Sequence, residues 1–180
     1  MYRDLAIHGS KYVFRGRKFN VLILDVTLPT GVRTTKEIVE FPGAVAILPL
    51  IDNRKLVMIR QYRVPIKSWI YEIPAGTLKP CEKPEECALR ELEEETGYSA
   101  TELEKLLEIY PTPGYSSEII HIYIARGLKK GRPRTERDEV IETMEVDLDK
   151  AIEMIREGII RDGKTIIALL YYITYTRNRS

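Results

Sequence analysis

Residues 76–98, GTLKPCEKPEECALRELEEETGY, are the stretch from which the fold of this 180-residue chain is best predicted. Pro84 suits the first turn of a helix, because its missing N–H would be unpaired there anyway. The run from Glu85 to Glu95 contains strong helix formers and no Gly or Pro. Gly97 can adopt the left-handed conformation in which helices commonly end. The stretch therefore predicts a loop followed by a helix that stops near Gly97.

Acidic side chains share one face of this helix. Glu91, Glu94 and Glu95 are spaced i, i+3 and i+4, where like charges repel unless cations are nearby. Magnesium is usually held by a few carboxylates together with water and substrate phosphates. Glu82 in the loop can fold back toward the same face, and Arg90 can pair with one of the carboxylates. The pattern predicts a magnesium site that recruits phosphate; the alternative is an acidic face that only contacts solvent.

Composition limits the class of protein. Hydrophobic residues make up 44% of the chain and charged residues 31%, which is typical of one globular domain with a substantial core. The net charge of +1 argues against a dominant surface for nucleic acid or membrane. We therefore expect neither a nucleic-acid partner nor a membrane partner.

The sequence predicts a cytoplasmic setting. The N-terminus is polar and mixed in charge, unlike a signal peptide. The longest apolar run, 165–175, is too short to span a membrane. We expect Cys81 and Cys87 to be unpaired, rather than joined in a disulfide or combined with His8 and His121 at a zinc site.

Hydrophobic patterning predicts a strand-rich chain with few helices. Strands are expected at 11–14, 19–28, 34–41, 44–50, 56–62, 69–73, 103–110, 119–125 and 140–146. A polar loop is expected at 127–138. After the last strand we expect a helix at 149–157 and a strongly apolar, buried helix from 162 or 163 to about 175.

This order of elements predicts a mixed α+β fold, in which the helix of residues 84–96 packs against a sheet. Pro42-Gly43 marks a boundary. Residues 1–41 would form a small antiparallel sheet, and residues 42–180 would form the main domain. So small a sheet buries little by itself, so we expect it to pack on the main domain or on a second subunit.

Residues 76–98 also resemble a known family. They match the Nudix box, G-x5-E-x7-R-E-U-x-E-E-x-G-U, at every charged position; the apolar U positions are Leu92 and, less typically, Tyr98. The chain is therefore similar to Nudix hydrolases, which cleave nucleoside diphosphates linked to another group. The resemblance implies an α/β/α sandwich and two or three Mg²⁺ ions, with Mn²⁺ as a substitute.

Four stretches outside the box resemble the ADP-ribose pyrophosphatase branch: EIVEFPGAVAILPL from Glu37, QYRVP from Gln61, YEIPAG from Tyr71 and TPGYSSE from Thr112. The resemblance implies hydrolysis of ADP-ribose to AMP and ribose 5-phosphate. The alternatives are a Nudix hydrolase of a sugar nucleotide, flavin dinucleotide or dinucleoside polyphosphate, and a module that binds ADP-ribose without cutting it. Degenerate boxes would mark the binding module, whereas this box is complete.

The resemblance also implies roles for individual residues. The carbonyl of Ala75, with Glu91 and Glu95, would bind magnesium, Glu94 would assist, and Glu82 would be linked to the metal. Arg90 would position the carboxylates of the box. A carboxylate in the later loop would take a proton from water: Glu139 is our first choice and Glu136 the second, and the alternative is a solvated charged loop.

The remaining roles concern the substrate. Arg63 matches an arginine that contacts phosphate or ribose, and Glu37 matches a residue near the adenine. Some members carry another arginine two positions before Glu37; here that position is Thr35, and Arg33 on the same strand face could substitute. The loop containing Gly114, Ser117 and Glu118 would line the distal ribose pocket.

The branch typically forms homodimers in which the N-terminal sheet swaps onto a second subunit and helps to build the adenine pocket. An exposed small sheet would otherwise leave its edges uncovered. We therefore expect a homodimer with a small-molecule nucleotide as substrate. Either Tyr12 or Phe14 could stack on the adenine.

Overall fold

The computed structural model describes residues 4–134 and 140–176. They form twelve strands and three α-helices. The strands are β1 (Ala6–Arg15), β2 (Asn20–Thr27), β3 (Arg33–Glu40), β4 (Ala44–Pro49), β5 (Lys55–Arg63), β6 (Ser68–Glu72), β7 (Ala75–Thr77), β8 (Tyr98–Ser99), β9 (Glu102–Ile109), β10 (Ile120–Arg126), β11 (Lys129–Lys130) and β12 (Ile141–Asp147). The helices are α1 (Pro84–Thr96), α2 (Leu148–Arg156) and α3 (Gly163–Tyr171). The mixed α+β fold predicted from the sequence is confirmed.

The chain divides into two compact units, and the first runs to Gly43 and includes Tyr110–Ile119. Its sheet is antiparallel, in the order β1-β2-β3. The Tyr110–Ile119 loop joins β3, because Val39 donates its N–H to Tyr115 O at 2.8 Å and accepts from Ser117 N at 3.0 Å. Patterning predicts the three strands, but it does not assign this distant loop to the same unit.

The second unit contains the box. One sheet has the order β7-β4-β10-β9, with β4 and β10 parallel, and another has the antiparallel order β12-β5-β6. β4 is buried at every residue, which explains its unbroken apolar sequence AVAILP. α1 contacts strands of both sheets. Val57, Cys87, Ala88 and Leu92 belong to the core cluster where they meet.

α1 begins and ends where local chemistry predicts. Pro84 occupies the first turn, and Glu85 and Glu86 complement the positive end of the helix dipole. Gly97 has φ +76°, and its N–H bonds to Glu93 O at 2.9 Å. A residue with a Cβ would be strained at this φ, and its Cβ would lie 2.6 Å from Pro133 N.

The structure corrects two expectations from the sequence. The final helix is not buried all round, because Ile167, Leu170 and Tyr171 are exposed, while Ala168 and Leu169 pack inward. Its π-helical continuation is Tyr172–Thr176. The expected loop at 127–138 contains the short strand β11, which pairs with β8. Two-residue strands carry too little periodicity to be seen in a sequence.

No α-helix in the described part of the chain is long and apolar enough to cross a membrane. The Cys81 and Cys87 thiols are both free.

Candidate active site

Arg90 of α1 lies among three carboxylates. Its Nε and Nη2 donate to the two oxygens of Glu82 at 2.7 and 2.9 Å. Its Nη1 donates to Glu91 at 2.6 Å and to Glu94 at 2.9 Å. Hydrogen bonds from Arg90 lower the pKa of Glu82 to about 2. A single planar guanidinium with five N–H donors therefore gathers the acids from the helix and from the preceding loop.

The loop before α1 folds Glu82 back toward the helix. The Glu82 N–H donates to Lys79 O at 3.0 Å, and its carboxylate accepts from Lys79 N at 2.9 Å. Cys81 has φ +64°, a conformation that non-glycine residues seldom adopt. This tight turn brings Glu82 within reach of Arg90, eight residues later in the chain.

Two glutamates of α1 approach the backbone of β7. Glu95 is almost fully buried, and its Oε2 accepts from Ala75 N at 2.9 Å. A Cβ added to Gly76 would lie only 1.9 Å from Cδ of Glu91. The Glu91 carboxylate therefore lies directly against the bare backbone of Gly76. The helical spacing of Glu91 and Glu95 places both carboxylates against this short strand.

The donor types at this site suit a hard divalent cation. Glu82, Glu91, Glu94 and Glu95 supply carboxylate oxygens, and hard cations prefer oxygen ligands. Of the four, Glu91 and Glu95 lie against the backbone of β7. Within residues 4–134 and 140–176, however, no three His, Cys, Asp or Glu side chains could hold a metal as they stand. Arg90 bonds to three of these carboxylates. A cation would therefore compete with Arg90 for the same oxygen atoms.

A second ionic cluster surrounds Glu72, at the end of β6. Its side chain is completely buried. Arg63 donates two hydrogen bonds to its carboxylate, with Nε–Oε1 and Nη2–Oε2 distances of 2.6 and 2.7 Å. Lys164 of α3 donates to the same carboxylate. Burial raises the pKa of Glu72, but Arg63 and Lys164 outweigh that effect and the net shift is downward. Glu72 is therefore a buried anion.

The first turn of α3 extends this cluster. Asp162 caps the helix by accepting from Thr165 N at 3.0 Å, and its other oxygen accepts from Lys164 at 2.9 Å. The Thr165 hydroxyl donates to Asp162 at 2.6 Å and accepts from Ile73 N at 2.9 Å. The C-terminal helix thus holds both the side chain of Glu72 and the backbone that follows it.

The predicted adenine and distal ribose residues lie in the first unit. Glu37 is on β3, and Arg33 forms a two-pronged pair with Asp25 at 3.0 and 2.6 Å. The Ser117 hydroxyl accepts from Phe41 N at 3.0 Å. Glu118 donates its N–H to Ser116 Oγ at 3.1 Å, and Gly114 has open space at its Cα. The roles predicted for Glu37, Gly114, Ser117 and Glu118 remain predictions.

Glu136 and Glu139 lie outside the described residues, but the ends of their segment are anchored. Gly131 N donates to Gly97 O at 2.7 Å, and Arg134 N donates to Glu94 O at 2.8 Å. After the segment, Val140 O accepts from Tyr62 N at 3.3 Å. The described residues before the segment therefore bond to the end of α1, and Val140 after it bonds to the end of β5.

Sequence reasoning missed the contribution of four residues: Glu72, Asp162, Lys164 and Thr165. One signal was available. Lys164 follows the Asp162 cap within the first helical turn, where a cation opposes the helix dipole. A lysine at such a position needs an anionic partner to offset that cost, although the sequence does not show that the partner is Glu72.

Comparison with known proteins agrees with this geometry. The family model described as the NUDIX domain matches residues 40–169. The methanol dehydrogenase activator of Bacillus methanolicus is 43% identical, covering 90% of this chain and 89% of the relative. The ADP-ribose pyrophosphatase of Bacillus subtilis is 42% identical, covering 91% and 89%. A crystal structure of an ADP compounds hydrolase has a TM-score of 0.85 at 25% identity, covering 100% of this chain and 98% of that one.

Nudix hydrolases depend on divalent metal ions, in agreement with the oxygen donors gathered by α1 and β7. The family resemblance predicted from residues 76–98 is confirmed by the match over 40–169. The chain therefore belongs to the Nudix family and is a Nudix pyrophosphohydrolase.

Proposed function

We propose that this enzyme hydrolyses ADP-ribose to AMP and ribose 5-phosphate in a magnesium-dependent reaction. The observation that carries the proposal is the 42% identity, over most of both chains, to a relative named ADP-ribose pyrophosphatase. The structural likeness to an ADP compounds hydrolase supports the same class of substrate. The complete box, with its carboxylates gathered by Arg90, supports catalysis rather than binding alone.

We assign the metal site to the Ala75 carbonyl and the carboxylates of Glu82, Glu91, Glu94 and Glu95. When bound there, two or three Mg²⁺ ions would neutralise charge on the diphosphate and lower the pKa of the attacking water. Mn²⁺ is the expected substitute. Arg90 positions Glu82 and Glu94, and Gly76 gives Glu91 access to the backbone of β7.

Phosphate binding and proton transfer are assigned to other side chains. Arg63 uses two of its five donors on Glu72, which leaves three N–H bonds for phosphate oxygens. Glu139 is our first choice for the base that accepts the proton of the attacking water, with Glu136 second. The water oxygen forms a bond to one phosphorus, and the bond from that phosphorus to the bridging oxygen breaks. AMP and ribose 5-phosphate leave.

We assign recognition of the two ends of the substrate to the first unit. Glu37 and Arg33 would lie near the adenine, and Gly114, Ser117 and Glu118 would line the distal ribose pocket. Hydrogen bonds between β3 and the backbone of residues 115–117 join the strand that carries Glu37 and Arg33 to the loop that carries the other three residues. We further propose a cytoplasmic setting, because the two free thiols suit a reducing compartment.

We propose a homodimer formed through the N-terminal sheet. β1 is exposed at every residue, including Ile7, Val13 and Phe14, and exposed apolar surface of this kind marks interaction sites. In sedimentation, the wild type should have about twice the 20.8 kDa chain mass. A variant carrying Ile7→Lys and Val13→Lys should sediment as a monomer, and Lys11→Arg serves as the control. A monomeric wild type would contradict the proposal.

The first experiment is hydrolysis of ADP-ribose with Mg²⁺ in ¹⁸O-labelled water, with products resolved by mass spectrometry. The controls are chelator, Glu91→Gln and the exposed, remote Glu153→Gln. We expect metal-dependent AMP and ribose 5-phosphate, with one ¹⁸O atom on the phosphate that was attacked. Intact ADP-ribose would refute the substrate assignment. A panel of sugar nucleotides, flavin dinucleotide and dinucleoside polyphosphates would then identify the substrate, and binding without cleavage of any compound would indicate a binding module.

A further inference from the structure

The Glu72 cluster, defined as Arg63, Glu72, Asp162 and Lys164, joins three separate parts of the second unit. Arg63 ends β5, Glu72 ends β6, and the other two residues begin α3. Glu72 is completely buried, whereas the Arg63 side chain retains 36% of its exposure. The anion at the centre of the cluster is therefore shielded from solvent, while the side chain of Arg63 remains partly accessible to it.

The position of Lys164 is costly by itself, and that cost is offset by its contacts to anionic side chains. Lys164 occupies the first turn of α3, where the helix dipole disfavours a cation. Its side chain is only 12% exposed, so its charge is largely removed from water. The contacts to Glu72 and Asp162 offset both costs. No comparable requirement arises for Lys150 in α2, which is exposed and pairs with Glu153.

Both cations compensate the completely buried Glu72, because a charge removed from water is costly unless its hydrogen-bonding capacity is filled. Lys164 donates a hydrogen bond to the Glu72 carboxylate from α3, and Arg63 donates two from the end of β5. The two-pronged geometry fixes the plane of the guanidinium, and hence the direction of its unused N–H bonds. Without Lys164, the Glu72 carboxylate would shift or take up a proton, and the plane of the guanidinium would no longer be fixed.

The same helical turn also supports the backbone near the metal donors. Thr165 accepts from Ile73 N at 2.9 Å, and two residues later Ala75 N donates to Glu95. Asp162 caps α3 and so holds Thr165 and Lys164 together. The first turn of α3 thus constrains both Arg63, the proposed phosphate-binding arginine, and the strand that approaches the carboxylates of α1.

We propose that Lys164 is a positioning residue for the reaction: through Glu72, it orients Arg63 toward the diphosphate of the substrate. The inference rests on the proposed role of Arg63 in phosphate binding. Lys164 does not itself touch the substrate. Its effect on catalysis therefore requires Arg63, and this dependence separates it from a lysine that only stabilises the fold.

The test is a double-mutant cycle with Lys164→Met, Arg63→Met and the variant carrying both. We expect Lys164→Met to lower kcat/KM by about 10- to 100-fold, the scale of a charged hydrogen bond. In the Arg63→Met background the same change should cost less than about 3-fold, because residues that act as a unit are not additive. Lys164→Arg should restore most of the activity, and Lys150→Met should leave it unchanged.

Stability is measured in parallel by urea unfolding, and all kinetics are run well below the unfolding transition of the weakest variant. Equal losses from Lys164→Met with and without Arg63 would overturn the inference, as would full activity of Lys164→Met. The cycle uses whichever compound in the nucleotide panel the wild type hydrolyses fastest. Wild type that leaves ADP-ribose intact but cleaves another compound refutes the proposed substrate, whereas additive losses on the cleaved compound refute the role of Lys164.

Discussion

The second unit contains two ionic clusters that differ in net charge. In the box cluster, defined as Glu82, Arg90, Glu91 and Glu94, one cation serves three carboxylates. In the Glu72 cluster, two cations serve two carboxylates. The first has the oxygen atoms and excess acid that attract a divalent ion. The second has no excess charge, as expected of a cluster that supports the structure.

The clusters also differ in burial, and this predicts different responses to mutation. Glu72 is completely buried, whereas the three carboxylates of the box cluster keep between 13% of their side-chain exposure, for Glu82, and 36%, for Glu94. Loss of a charge in the box cluster should mainly affect metal binding and rate. Loss of Glu72 itself should mainly affect stability, because Arg63 and the largely buried Lys164 would lose the anion that they share, whereas loss of Lys164 should also affect the rate through Arg63.

Glu91→Gln should have the largest effect on rate. The substitution removes the charge of a proposed metal ligand but keeps the shape of the side chain, so we expect kcat/KM to fall by about a thousandfold. The free energy of unfolding in urea should change little. Glu153→Gln, remote from both clusters, is the control. A Glu91→Gln enzyme that retains most of its activity would show that the box cluster does not hold the catalytic metal.

Glu72→Gln should have the largest effect on stability. Arg63 and Lys164 would lose their shared anion, and breaking a buried pair typically costs about 3–5 kcal/mol. Urea unfolding at neutral pH measures the change. Glu142→Gln, which breaks the exposed pair with Arg60, should cost less than about 1 kcal/mol. Equal costs for the two variants would remove the distinction between a buried scaffold and ordinary surface pairs.

Gly76→Ala tests the close approach of α1 to β7. The new Cβ would collide with the Glu91 carboxylate, so Glu91 must move away from the backbone. We expect a loss of stability of about 1–3 kcal/mol together with weaker metal activation, seen as a higher Mg²⁺ concentration at half-maximal rate. Gly163→Ala, where the added Cβ meets nothing within 4 Å, is the matched control. Unaltered magnesium dependence in Gly76→Ala would contradict the proposed use of Glu91.

The smallest effect should be the pH dependence that arises from Glu82. Its pKa of about 2 lies below the ordinary value of 4.5, so its ionised form stabilises the fold. That stabilisation is complete above the ordinary value and is lost as the pH falls toward 2. Wild type should therefore be more stable than Glu82→Gln at pH 7, and the difference should shrink between about pH 5 and pH 3. A difference that stays constant across this range would show that Arg90 does not stabilise ionised Glu82.

Much of the fold could be predicted because its signals are local. The Val, Ile, Leu and Thr residues of β2 and β3, the buried run of β4 and the limits of α1 are all signals carried by neighbouring residues. The short strands β8 and β11 were missed, because two residues cannot show a period. The exposed side of α3 was missed because an apolar sequence does not reveal which face is covered.

The sequence by itself determined the family, the helix of the box and the face on which Glu91, Glu94 and Glu95 stand, because helical spacing is set within a few residues. Only the tertiary structure decided that Lys164 meets Glu72, 92 residues away, and that Gly76 lies under the carboxylate of Glu91. Such contacts depend on how separate strands and helices pack. A residue's neighbours in the chain do not encode its partners in space, so these contacts could be identified only from the tertiary structure.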